Sequence, residues 1–171
     1  MPARQIMNAS QVESMTLHSM AELQDAWVKL LDPVPWQWFM TLTFRDEIHP
    51  EAADKRFRHL ISMGNRELYG PRWAKKEKGI AWARAIEKQR RGVIHMHALV
   101  SGVGDLSPLS FMARWHELSG FSKIEPIRNS LAVRRYVSKY VRKGGEIDIG
   151  GCWPTVPHLK SKPSPPKVPA R

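Results

Sequence analysis

The sequence of 171 residues is long enough for one ordinary domain with tails, and 42% of its residues are hydrophobic, enough to bury a core. Its net charge of +11 favours a polyanionic partner, either nucleic acid or an acidic membrane surface. A single cysteine, Cys152, excludes an internal disulfide and a cysteine-based zinc site. The sequence has no membrane-length apolar run and no signal-peptide core, which predicts a cytoplasmic protein with no membrane partner.

The hydrophobic pattern predicts helices and strands up to about residue 150. In chain order these are a helix over 19–31, a strand over 36–44, a helix over 51–68, strands over 79–88 and 92–101, a helix over 107–120, a short strand over 122–127 and a helix over 130–143. The last residues are rich in proline, lysine and serine and cannot bury a core. The predicted organisation is an extension with one helix over 1–35, a domain over 36–150 and a disordered basic tail over 151–171.

The first predicted strand alternates between two kinds of side chain, which is typical of a strand with one buried and one polar face. The apolar face would carry Trp36, Trp38, Met40, Leu42 and Phe44. The polar face would carry Gln37, Thr41 and Thr43.

The stretch "RGVIHMHALV", residues 91–100, places two histidines in an apolar strand. Side chains two apart share a face of a strand, so His95 and His97 lie together. If residues 90–92 form the hairpin loop, with Gly92 in the left-handed conformation, Glu87 pairs directly with His95. Two imidazoles and a carboxylate then form a candidate divalent-metal site. A loop of two or four residues would instead move Glu87 to the other face, and a chance pair of surface histidines is the simpler alternative.

The stretch "RRYVSKYVRKGG", residues 134–145, places two tyrosines on one helical face because they are four apart. Lys139 follows Tyr136 by three residues, and Lys143 follows Tyr140 by three. The pattern also suits an amphipathic helix that uses both tyrosines in its core. A tyrosine hydroxyl can, however, attack phosphorus when a metal polarises the phosphate and a cation stabilises its charge.

The segments "FMTLTF", "HMH" and "YVSKYVRK" resemble, in order and spacing, the three motifs of the HUH endonucleases. Within that superfamily the chain resembles rolling-circle replication initiators, the Rep proteins of small phages, plasmids and single-stranded DNA viruses, over residues 36–149. The tyrosine pair is similar to that of the two-tyrosine initiators of microviruses. Some single-tyrosine initiators carry the same spacing, so the number of nucleophiles stays open.

The resemblance implies an α+β fold, in which a central antiparallel sheet of about five strands is flanked by helices. It implies that Glu87, His95 and His97 hold Mg²⁺ or Mn²⁺ and that Tyr140 or Tyr136 attacks the scissile phosphate. The products would be a 5′-phosphotyrosine and a free 3′-hydroxyl, and reversal would reseal the strand. Lys139 and Lys143 would stabilise the phosphate charge or orient the metal-bound group.

The implied substrate is single-stranded DNA at a replication origin. Arginines are the candidate nucleic-acid contacts: Arg84, Arg90, Arg91, Arg134 and Arg135. The basic loop over 72–78 would add to them. The chain has no phosphate-binding loop of the ATP-driven kind, so a separate helicase and polymerase from the host are expected.

Two alternatives remain at this stage. One is a transposase of the same superfamily, which would act on transposon ends. The other is a non-catalytic basic module that binds DNA or RNA through its sheet.

Overall fold

The computed structural model describes residues 9–88, 92–129, 131–143 and 147–153. Four α-helices and five strands lie in these ranges, with one short 3-10 helix. In chain order they are α1 (Ala9–Leu31), β1 (Trp38–Thr43), α2 (Pro50–Tyr69), the 3-10 helix (Trp73–Lys76), β2 (Ala81–Lys88), β3 (Ile94–Ser101), α3 (Pro108–Leu118), β4 (Ser122–Pro126), α4 (Leu131–Arg142) and β5 (Ile147–Gly150).

The five strands form one antiparallel sheet in the order β4-β1-β3-β2-β5. The predicted α+β class, with an antiparallel sheet of about five strands flanked by helices, is therefore confirmed. The histidine strand β3 lies at the centre, between β1 and β2. The strands that carry "FMTLTF" and "HMH", β1 and β3, are thus direct neighbours in the sheet although they are distant in the sequence.

One face of the sheet packs against α2 and α3. Its core is wholly apolar near the centre, where Met40 and Leu42 of β1 meet Met96 and Ala98 of β3. Helix α2 begins at Pro50, a residue suited to the first helical position, and α3 has Ser107 as its N-cap. This face supplies the main hydrophobic core, as the alternation of β1 and β3 predicts.

The opposite face packs against α4, and α1 contacts α4 in turn. Small side chains of β2, Ala83 and Ala85, lie under α4 and let the helix approach the sheet. The tyrosines of α4 therefore lie on the same face of the sheet as the odd-numbered side chains of β3.

The structure differs from the sequence-based expectations in three places. Helix α1 begins at Ala9 instead of residue 19, and β5 was not predicted as an element. The strand β1 begins at Trp38, so the prediction that Trp36 shares the face of Trp38 is wrong. Trp36 is buried with α1 and α4 in the other core cluster, and its indole N–H donates to the Leu31 carbonyl at 2.8 Å.

Several predictions fall on residues that are not described. Arg90, Arg91 and residues 154–171 of the predicted tail lie outside the described residues. The division into extension, domain and tail stays a prediction. None of the helices in the described ranges contains an apolar stretch long enough to cross a bilayer.

Candidate active site

The hairpin of β2 and β3 brings the predicted metal-site residues to one face. Glu87 pairs with His95, as the three-residue loop requires, and Ala85 pairs with His97. Gly92 has φ +76°, the left-handed conformation that this loop needs. The register prediction is therefore confirmed.

Two threonines of β1 orient the histidines. Thr41 pairs with His97 and Thr43 with His95 across the β1–β3 ladder. The Thr41 Oγ1 lies 3.2 Å from His97 Nδ1, and the Thr43 Oγ1 lies 3.3 Å from His95 Nδ1. Because each Nδ1 is occupied by a hydroxyl, the Nε2 atom of each ring is the one left for another partner.

Burial keeps both imidazoles neutral at neutral pH. Desolvation lowers the pKa of His97 to about 4, and the Lys139 ammonium lowers it further while Glu87 opposes the shift. Desolvation also lowers the pKa of His95, again against the charge of Glu87. Neutral imidazoles are the form that can bind a metal ion through nitrogen.

Glu87 is the centre of a charged cluster. Its carboxylate lies 2.5 Å from the Lys143 ammonium, 3.4 Å from the Lys139 ammonium and 3.4 Å from His97 Nε2. The hydrogen bond from Lys143 holds the pKa of Glu87 below its usual value, and the charge of Lys139 contributes. Glu87 is therefore ionised and is neutralised by two cations, Lys139 of α4 and Lys143 just after it.

The structure does not assemble the predicted three-ligand metal site. Within the described ranges no group of three His, Cys, Asp or Glu side chains is arranged so that it could hold a metal ion. The physical reason lies in Glu87, whose carboxylate is bound by Lys139 and Lys143. Both lysines pair with Glu87 in this structure, and their role toward phosphate or the metal-bound group stays a prediction.

Tyr136 is fixed between α4 and the sheet. It is 3% exposed, and its one hydroxyl proton is shared between the carbonyl of Ala83 at 3.2 Å and that of His97 at 3.1 Å. Burial raises the pKa of Tyr136 well above its usual value, and the neighbouring Tyr140 raises it further. A hydroxyl that is deeply buried and bonded to two strands is suited to hold α4 on the sheet.

Tyr140 differs from Tyr136 in its hydrogen bonding. It is 2% exposed, and its hydroxyl is buried with no hydrogen-bond partner among the described residues. Its ring centroid lies 5.3 Å from that of His97, and the Lys139 ammonium lies 5.0 Å above the ring. Burial raises the pKa of Tyr140, and the charge of Glu87 raises it further. The structure thus places a protonated, unbonded phenol beside the histidine cluster.

Arg84, predicted to contact nucleic acid, lies on the other face of the sheet. It is 4% exposed, and its guanidinium bonds to Asp54 at 2.5 Å and to Asp148 at 3.2 Å. Its guanidinium carbon also lies about 5 Å from the ring centroids of Phe57 and Trp82. This placement contradicts the expectation, because a buried guanidinium bound to two carboxylates is not available to a phosphate.

The other predicted basic contacts are exposed where the structure describes them. Arg134 and Arg135 lie on the outer surface of α4, next to Ser138 and Arg142. The basic loop over 72–78 contains the 3-10 helix, and its Trp73 is half-buried. The exposed face of α4 is therefore strongly positive and adjoins the tyrosine cluster.

Sequence reasoning missed Thr41 and Thr43 as site residues. The alternation of β1 placed both on the polar face, but the order of the strands was needed to show that this face meets His95 and His97. It also missed Phe39, which shares that face and lies 6.0 Å from His97 between ring centroids.

The fold and the site define an α+β protein that carries a polar cluster and two tyrosines between one sheet face and a basic helix. Residues 37–145 match the family described as "Replication-associated protein ORF2/G2P". The match covers more than half of the chain, and the chain belongs to this family. It includes every element of the site, from β1 to the end of α4. The family supports a role in DNA replication.

A relative of known name agrees with this family. The chain is 31% identical over 134 residues to the "Phasyl DNA replicon protein arp" of Escherichia coli, which covers 63% of this chain and 44% of that protein. The chain thus spans less than half the length of that relative. No solved structure is detectably similar to the chain.

Proposed function

We propose that the protein is a site-specific single-stranded DNA nickase and ligase that initiates rolling-circle replication, with Tyr140 as the nucleophile. The observation that carries this proposal is the Tyr140 hydroxyl, which is buried beside His97 without a described hydrogen-bond partner. A buried hydroxyl without a partner costs stability, and beside two histidines and a carboxylate its free oxygen is suited to attack a phosphate. Tyr136, bonded to two backbone carbonyls, serves to position α4.

The proposed step replaces one phosphate ester bond with another. The Tyr140 Oη attacks the scissile phosphorus, the Oη–P bond forms, and the P–O3′ bond breaks with its electron pair left on O3′. The phenol proton goes to solvent, and O3′ takes a proton from solvent. Attack by the 3′-hydroxyl on the phosphotyrosine reverses the step and reseals the strand, so no nucleotide hydrolysis is required.

The donor set fits Mg²⁺ or Mn²⁺ if Glu87 is released from its lysines. His95 and His97 are neutral at neutral pH with Nδ1 held by threonines, and Glu87 is ionised on the same face. These residues would hold the ion. When bound, a divalent cation would polarise a phosphate oxygen and offset the negative charge that raises the pKa of Tyr140.

Lys139 and Lys143 are proposed to exchange partners when DNA binds. Both are about half-exposed, and both now neutralise Glu87. An incoming phosphate can draw the Lys139 ammonium away from the Tyr140 ring, which uncovers the phenol and places positive charge where charge develops in the transition state.

The exposed arginines of α4, Arg134 and Arg135, are proposed to contact the DNA backbone, and the net charge of +11 supports binding to a polyanion. Arg90 and Arg91 remain candidates from the sequence alone. A separate helicase and polymerase are proposed partners.

The test is formation of a covalent protein–DNA adduct. The protein is incubated with Mn²⁺ and single-stranded circles of its replicon, and adducts are separated under denaturing conditions. We expect Tyr140→Phe to abolish the adduct and Tyr136→Phe to retain it. The third tyrosine of the chain, Tyr69, gives the matched control, and Tyr69→Phe should leave the adduct unchanged.

Two other outcomes would change the proposal. Loss of the adduct only in the Tyr136/Tyr140 double variant would indicate two alternating nucleophiles. Absence of any adduct on DNA that remains bound would indicate a non-catalytic binding module.

A further inference from the structure

A cleft opens beside the tyrosines, between the start of α4 and the segment that joins it to β4. Its volume is about 450 Å³, within the range of small-molecule sites. Phe39 and Tyr136 form its aromatic wall, and Tyr140 also lines it. Whatever occupies the cleft is therefore next to the proposed nucleophile.

Phe39 is the unusual residue of this cleft. It lies on the otherwise polar face of β1, half-buried, while its neighbours Trp38 and Met40 are fully packed on the other face. Its ring is stacked toward His97 with centroids 6.0 Å apart, and it meets Tyr136 in a T-shaped arrangement with centroids 6.2 Å apart. An aromatic ring that borders an open cleft offers a surface on which a nucleobase can stack.

The charges at the rim suit the backbone of a nucleic acid. Arg128 and Arg135 are exposed on two sides of the cleft, and Lys139 lies on the side of Tyr140. The acidic residue of the lining, Glu125, is neutralised by Lys123 at 2.8 Å. The cleft thus combines an aromatic wall with a positive rim.

We propose that this cleft binds one unstacked nucleotide of single-stranded DNA, the nucleotide that adjoins the scissile phosphate. Its base stacks on Phe39, and Arg128 and Arg135 contact the flanking phosphates. The proposal rests on the proposed function, because Tyr140 identifies the scissile position. Stacking accepts any base, so this subsite fixes the position of the strand and does not read its sequence.

The test is a scan of binding with abasic substitutions. A fluorescent single-stranded oligonucleotide of about 16 nucleotides, the upper range for one single-strand-binding fold, is compared with copies that lack one base at each position in turn. Affinity is measured by fluorescence anisotropy in EDTA, so no cleavage occurs. For the wild type we expect one position at which loss of the base lowers affinity about 5- to 100-fold, as loss of one stacked base does.

Substitutions test whether the base at that position of the oligonucleotide lies in the cleft. Phe39→Leu should weaken binding of the intact oligonucleotide by the same factor and remove the sensitivity at that one position, whereas Phe39→Tyr should retain both. Phe121→Leu makes the same chemical change at a phenylalanine that lies outside the cleft and is 69% exposed. It should change neither the affinity for the intact oligonucleotide nor the sensitivity at that position. Arg128→Gln should flatten the dependence of log affinity on log salt by about 0.7, the value for one phosphate contact on a single strand.

The outcomes separate this proposal from the nicking proposal. An unchanged abasic profile in Phe39→Leu, with a normal thermal unfolding midpoint, overturns the cleft assignment even if the covalent adduct forms. A profile that depends on Phe39 without any adduct supports the cleft and overturns the nicking step. If Phe39→Leu fails to fold, a salt dependence flattened by about 0.7 in Arg128→Gln decides in favour of the cleft, and an unchanged salt dependence decides against it.

Discussion

The two tyrosines of α4 should respond in opposite directions to removal of the hydroxyl. In Tyr136→Phe the protein loses the hydrogen bond whose single proton this hydroxyl shares between two backbone carbonyls. Since such a bond contributes about 1 kcal/mol net and its loss leaves the buried carbonyls without that donor, the free energy of unfolding should fall by about 1–2 kcal/mol. In Tyr140→Phe the protein loses a buried hydroxyl without a described partner, so the free energy of unfolding should rise by about 1–3 kcal/mol.

The assay is urea denaturation without DNA and with EDTA, followed by tryptophan fluorescence. For a chain of this length each kcal/mol also moves the thermal midpoint by about 2–4 °C, so the two variants should separate clearly in a thermal scan. Tyr69→Phe, the third tyrosine of the chain, should stay within about 0.5 kcal/mol of the wild type.

The reasoning would be refuted if both variants of α4 lost stability by similar amounts. That result would mean that the Tyr140 hydroxyl has a hydrogen-bond partner in solution. The structural support for Tyr140 as the reactive phenol would then be lost, and the assignment would depend on the adduct assay alone.

Three further predictions concern charge and orientation. Arg84→Gln should lower the free energy of unfolding by about 1–3 kcal/mol, because it removes charged hydrogen bonds to Asp54 and Asp148 while Arg58 still pairs with both carboxylates; denaturation measures this. In anisotropy assays Arg84→Gln should keep the salt dependence of DNA binding, whereas Arg135→Gln should flatten it by about 0.7. The pKa of His97 is near 4 when folded and near 6.5 when unfolded, so stability should fall as pH drops through this window. Between pH 7 and about pH 4.5, in EDTA, the free energy of unfolding of the wild type should fall by about 2 kcal/mol more than that of His97→Gln. Equal losses in the two proteins would contradict a buried neutral imidazole. Thr41→Val and Thr43→Val should each weaken Mn²⁺ binding about 10-fold or more by calorimetry, and unchanged affinity would show that the hydroxyls do not orient the ligands.

The sequence predicted the site residues best where local geometry determines their position. The alternation of β3 placed Glu87 opposite His95 once a three-residue loop was assumed, and the observed register matches that assumption. The four-residue spacing placed Tyr136 and Tyr140 on one face of α4, with ring centroids 4.9 Å apart. Both results follow from backbone periodicity, which does not depend on the rest of the fold.

The features that depend on contacts across the sheet could not be predicted in the same way. The alternation of β2 did not reveal that Arg84 would lie under α2 with Asp54 from that helix and Asp148 from β5. The strand β5 has only four residues, too few to show an alternating pattern. The ion pair of Glu87 with Lys143 joins residues 56 positions apart, and it could not be predicted without knowing where α4 packs on the sheet.

The packing of α1 has a consequence for where this molecule can be cut. The family match begins at residue 37, but Trp27 and Leu31 of α1 pack in the same core cluster as Val137 and Val141 of α4. A protein trimmed to the matched region would leave the outer flank of the tyrosine helix as a bare apolar surface, prone to aggregation and free to shift against the sheet. The smallest cooperative folding unit of this chain is therefore larger than the stretch that sequence similarity marks out.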